Sequence, residues 1–223
     1  MRRLVASAFA AVVAAPAEGG ELGSTTLAEL TRRADAVVVG RAIGFPSPGT
    51  VRFRIEEAIR GWTPVADVRR FPGVADEFDP SGAQPWLLYL GPPRSGSLGV
   101  LGGERGAIPL DGAPGLAALE AARALAPLAD LPDGRLRDVL VGQLRSASPR
   151  VGEDAGEALS HLPRALLRGI PAPLLAGALE SQAGPTPARA AVLRVLAARA
   201  ETGDLPALRR ELEEGPEELL PLL

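Results

Sequence analysis

The chain has 223 residues and a mass of 23.0 kDa, with 46% apolar and 23% charged residues, enough for one large domain or two small ones with a packed core. It has no Cys and a single His, which excludes disulfide scaffolds, thiol nucleophiles and Cys-ligated zinc and leaves little for a His-based triad or metal cluster. The net charge is −3 with all 24 basic residues Arg, so no nucleic-acid or other polyanion partner is expected.

In chain order, Met1-Arg2-Arg3 is a basic start, Leu4 to Ala15 is an apolar stretch of twelve residues, and Ala15-Pro16-Ala17 places small residues where a signal peptidase needs them. The pattern predicts a signal peptide over residues 1–17, cleaved after Ala17, and hence an exported protein, periplasmic or extracellular. The stretch is short of the ~20 residues of a membrane span, so no integral span is expected in the mature chain. The competing reading is an uncleaved anchor or a start codon placed too early. Without Cys there is no lipobox to acylate.

Residues 18–112 read as one all-β unit. Thr25 or Thr26 can cap a short helix carrying Leu27 and Leu30, and the run Val37-Val38-Val39 then opens a strand. Thr50 to Ile55 alternates, with Val51, Phe53 and Ile55 on one side and Arg52 and Arg54 on the other. Glu56-Glu57 breaks that period and predicts a bulge, which would return Ile59 to the core side. Val65 to Phe71 is a weaker strand, whereas Trp86 to Leu90 is apolar on both faces and must be covered twice. Ser97 to Leu101 and Ala107 to Leu110 complete a set that predicts a closed or sandwiched sheet.

The stretches Ala34 to Arg41, Val51 to Glu56 with Arg60-Gly61, Pro85 to Leu90 and Leu101 to Gly106 resemble exported bacterial domains with the OB-like barrel of the netrin and metalloproteinase-inhibitor group. The resemblance implies the barrel and an extracytoplasmic setting. Animal inhibitors of that group act through an N-terminal Cys held in disulfides; this chain has no Cys, so that mechanism does not carry over.

Past Asp111-Gly112-Ala113-Pro114 the composition turns to Ala, Leu, Arg and Glu and the apolar period becomes helical, predicting an all-α domain over residues 113–223. Ser148-Pro149 and Thr186-Pro187 are each an N-cap with Pro at the first helical position, and Asp204-Leu205-Pro206 is a third start. Helices are expected near 115–129, 135–147, 149–162, 171–183, 187–202 and 205–214. The 38-residue spacing of the first two starts is similar to that of HEAT-like repeats; an irregular bundle is the other arrangement of the same helices. The expected class is therefore α+β, an OB-like barrel followed by HEAT-like helices.

Little here carries chemistry. His161 falls late in a helix, where a cation suits the dipole, and no relay partner is visible. Glu56 and Glu57 are adjacent on a strand, so they face opposite ways and cannot work as a catalytic pair. The glycines between Gly99 and Gly106 precede no helix and read as turn residues. Asp76, Glu77 and Asp79 form an acidic loop that could offer oxygen ligands to calcium, but their spacing departs from the EF-hand. Trp62 is either a contact residue at the barrel mouth or a plug in its end. No catalytic residue, metal or cofactor is expected. Two functions fit: a non-catalytic exported binding or scaffold protein for another exported or envelope protein, or an inhibitor or ligand-binding protein acting through barrel-rim loops at Trp62, Asp76, Glu77 and Asp79.

Overall fold

A computed structural model describes residues 25–61, 65–69, 83–94, 96–128, 130, 133–182, 186–199 and 201–214. Thr26 caps helix α1 (Leu27–Arg33) by accepting the Glu29 N–H at 3.2 Å, and Leu27 and Leu30 turn inward. Six strands follow where the alternation places them: β1 (Ala36–Ser47), β2 (Thr50–Arg60), β3 (Val65–Arg69), β4 (Pro85–Arg94), β5 (Ser97–Val100) and β6 (Ala107–Pro109).

Their hydrogen-bonded order is β1-β2-β3-β5-β4-β6, and β4 also pairs with β1 along Ala36↔Leu90 to Arg41↔Pro85. All pairings are antiparallel except β3 with β5. The expectation of a closed barrel is corrected: among the described residues β3 and β5 are short and meet at one registered pair, Val68↔Leu98, so the sheet does not close along a continuous ladder.

The bulge expected beside Glu57 is present. Val39 pairs with Glu57 and Gly40 with Ile55, which leaves Glu56 as the extra residue, and Ile59 is skipped in the same way between Ala58 and Arg60. Two insertions change the outcome foreseen for Ile59: Ile55 packs inside the sheet, whereas Ile59 packs on the opposite, helix-covered side. Gly61 ends the strand at φ 66°, where a Cβ would lie 2.2 Å from the Asp35 carbonyl oxygen, so only glycine fits the turn.

The period of two divides the sheet's apolar residues between two cores. Val38, Val51, Phe53, Val68, Trp86, Leu88 and Leu90 fill the inside of the curved sheet. Val37, Val39, Leu87, Tyr89 and Ile108 point the other way and join α1 and the helices beyond residue 112 in one larger cluster. The two-sided apolar pattern of β4 is satisfied by these two layers, and residue 112 marks a change of secondary structure within a core that continues across it.

Those helices are α2 (Gly112–Leu125), α3 (Gly134–Gln143), α4 (Pro149–Ser160), α5 (Arg164–Arg168), α6 (Ala172–Ser181), α7 (Pro187–Arg199) and α8 (Leu205–Glu214). The first starts three residues before its expected position, and α5 is additional: Pro163 and Gly169 bracket too few residues for a period to show. α3 and α6 span residues 38 apart at both ends, α4 and α7 start 38 apart, and α5 has the 3-10 turn Thr202–Asp204 as its counterpart at the same offset. α4 and α7 form the most extensive helix contact, made possible by Gly152 and Gly156. A Cβ on Gly156 would sit 2.5 Å from that of Ala191. Among the described residues no helix is long and apolar enough to cross a membrane.

Two starts differ from the sequence reading. Thr186 caps α7 through its hydroxyl, which accepts the Arg189 N–H at 3.1 Å, but the Ser148 hydroxyl makes no such bond to α4. Asp204 lies within the 3-10 turn, fully buried, and its carboxylate goes to Arg199 at 2.9 Å and to the Glu201 N–H at 3.3 Å. Arg199 also donates to the Ile170 carbonyl, so this ion pair ties the end of α7 to the segment before α6.

Candidate functional site

The four sequence candidates Trp62, Asp76, Glu77 and Asp79 lie outside the described residues, as does the signal segment 1–17. The structure instead brings together residues from three distant stretches of chain. Around α1 they form a solvent-open groove of about 470 Å³, a size typical of small-ligand sites. Its floor is aliphatic: Leu125 from α2, Leu136 and Leu140 from α3, Leu162 beyond α4, and Ala28 and Ala158. Its rim carries Glu29, Arg32, Asp130 and His161.

Three rim charges are already engaged. Glu29 accepts from Arg33 one turn along α1 at 3.2 Å, and Asp130 accepts from Arg60 Nη2 through both oxygens at 3.0 and 3.1 Å. His161, the C-cap of α4, meets Glu157 at 3.0 Å across one helical turn, and Glu157 is also paired with Arg194 at 2.9 Å. The relay partner that the sequence did not reveal is therefore Glu157, but the imidazole is 74% exposed. A solvated His whose ring contacts a carboxylate of its own helix is the arrangement of a surface residue. Arg32 is exposed and makes no hydrogen bond or ion pair with another described residue.

Beneath α1 lies a buried polar node that holds the groove's wall in place. Asp154, on α4, accepts the Leu27 N–H at 3.0 Å and Arg105 Nη2 at 2.5 Å, and Arg150 stands one helical turn away with its Nε at 3.9 Å. Arg150 in turn donates to the Arg105 carbonyl. Gly102 and Gly103 set up this approach: both have positive φ, 68° and 57°, and they start the 3-10 turn (Gly103–Gly106) that presents Arg105. Burial raises the Asp154 carboxyl above the ordinary carboxylate range, against the pull of Arg105 and Arg150. The same burial lowers Arg150 and pushes the Tyr89 phenol well above its ordinary value. The Tyr89 hydroxyl faces Thr31 without full hydrogen-bond geometry, while the Thr31 hydroxyl donates to the Leu27 carbonyl at 2.7 Å.

Glu56 and Glu57 separate as the strand geometry requires. Glu56 pairs with Arg41 on β1 at 2.9 Å, and Glu57 with Arg123 on α2 through two bonds of 2.9 and 2.6 Å. The Arg123 hydrogen bond lowers the Glu57 carboxyl below its ordinary range. Among the described residues no group of three His, Asp or Glu side chains is placed to hold a metal ion.

Set beside protein families, curated proteins and solved structures, the chain matches none of them.

Proposed function

We propose that the protein is a non-catalytic exported binding protein that holds a segment of another exported or envelope protein in the groove around α1. The observation that carries this reading is the groove's make-up: an aliphatic floor drawn from α2, α3 and the end of α4, framed by charged side chains. An apolar centre with a polar rim is the anatomy of a protein-recognition site. The wall is firm because Asp154 fastens the first turn of α1 to α4 and to the 3-10 turn.

Two architectural readings go with the proposal. The β half is an OB-like, partly open five-stranded barrel. The ladders β1-β2, β2-β3, β3-β5, β5-β4 and β4-β1 run in a ring whose one weak seam is β3-β5, and β6 extends β4 outside it. The helical half is a pair of HEAT-like units, since three successive elements recur at a common offset and α4 stacks on α7.

Affinity capture from the exported fraction tests the function. The wild-type chain should retain a stoichiometric companion, and Ala28→Gln, which fills the groove from a partly exposed helix position, should lose it while keeping the same circular dichroism and melting midpoint. A companion retained by that variant would reject the groove as the recognition surface.

A further inference from the structure

We propose that the groove takes the C-terminal end of an aliphatic peptide chain, with the terminal carboxylate paired to Arg32. This rests on the binding-protein reading and specifies its partner chemistry. Of the four polar rim side chains, those of Glu29, Asp130 and His161 already have partners within the chain at 3.0 to 3.2 Å. Arg32 is left as the cation with donors to spare. A guanidinium presents a planar fork of N–H donors whose complement is a carboxylate, bound through two parallel hydrogen bonds. A ligand that satisfies the rim therefore brings a negative carboxylate to α1, whereas a cationic guest would leave Arg32 facing a like charge.

The floor sets the rest of the ligand. Among the described residues it holds leucines and alanines and no aromatic ring, so these offer branched aliphatic contacts but no stacking surface for a base or a sugar. A volume of about 470 Å³ has room for a few side chains, not for a whole amphipathic helix. The groove's opening to solvent separates a peptide from a fatty acid. An alkyl chain lying there would keep one side in water along its length, while a peptide turns leucine-like side chains inward and leaves its amides to the solvent and the polar rim.

Fluorescence anisotropy with the full chain tests this, using an N-terminally labelled Ala-Leu-Ala-Leu peptide as the free acid and as the C-terminal amide. The free acid should bind about tenfold more tightly than the amide, the effect of one charge-assisted pair. Arg32→Glu should abolish that preference, and it removes a side chain that is exposed and makes no hydrogen bond or ion pair among the described residues. Ala28→Gln should weaken both peptides. Equal binding of acid and amide, or indifference to Arg32→Glu, overturns the carboxylate pairing. Tighter binding of decanoate than of the peptide overturns the peptide in favour of an acyl chain. If neither peptide binds, yet a companion protein is captured and then lost with Ala28→Gln, the binding reading stands and the inference falls.

Discussion

The two cores of this protein are built on different principles. The one inside the sheet is wholly apolar, Phe53, Trp86 and their neighbours, and follows from alternation along each strand. The one between sheet and helices is mostly apolar too, but Asp154, Arg105 and Arg150 run along its edge and join pieces of chain separated by 127 residues. The contrast teaches that pattern alone can shape a curved sheet. Choosing where the helical layer sits on it takes a charge with few possible partners, a role that polar contacts in low dielectric can serve.

The strongest way to break the contrast is to remove one side of it. Residues 18–112 alone would expose Val37, Val39, Leu87, Tyr89 and Ile108, all buried against helices in the whole chain. Such a fragment should lack a cooperative thermal transition and bind a hydrophobic dye; a sharp unfolding transition would show the β half to be independent. Within the full chain, Phe53→Ala should cost about 4 kcal/mol, the usual penalty for emptying a buried aromatic site, as read by urea unfolding. Asp154→Ala should cost about 3 kcal/mol, because it strands the Leu27 N–H and two arginines that are only about one-third exposed. Thr186→Ala should cost about 1 kcal/mol through the lost cap of α7. Ser148→Ala should cost less at α4, where the hydroxyl does not cap. Equal losses at the two sites would contradict the asymmetry seen between them.

Acidity sharpens the same comparison, because the two carboxylates titrate with opposite consequences. Asp154 is raised in the folded chain by burial, so its contribution is most favourable at low pH and is lost as pH rises through the folded value. Glu57, at the rim of the sheet, is lowered by the Arg123 hydrogen bond. Its contribution is present above the ordinary carboxylate range and is lost as pH falls through the folded value. Unfolding midpoints followed from about pH 3 to about pH 8 should therefore show Asp154→Asn removing a loss of stability that sets in above the ordinary carboxylate range, and Glu57→Gln removing one that sets in below it. The second effect should be the smaller, since both partners there are more than one-third exposed.

Local pattern explains most of what could be read in advance. The strands and the long helices announce themselves because a period of two or of 3.6 is visible over five or more residues, and the double burial of Trp86 to Leu90 follows from its unbroken apolar run. The bulge at Glu56 was legible as a break in period; the second, at Ile59, was not, because nothing in the residues distinguishes a strand with two insertions from one with a single insertion. The sheet's weak seam depends on how far β3 and β5 overlap, which no local signal encodes. The groove was invisible for the same reason: its walls come from Thr26 to Arg32, from Leu125, Asp130, Leu136 and Leu140, and from Ala158 to Leu162, which only the packed chain brings together. One clue was present. Asp154 stands among Val151, Ala155 and Leu159 on the apolar stripe of α4, and a carboxylate in such a place needs a cation supplied from elsewhere.

The dependence of β1 and β4 on helices far downstream also sets an order of events. The strands leave the ribosome first, yet one side of them stays uncovered until α4 and α7 have followed and the Leu27 amide has met its carboxylate. Native structure must therefore wait until the chain has been made as far as the end of α7 at Arg199.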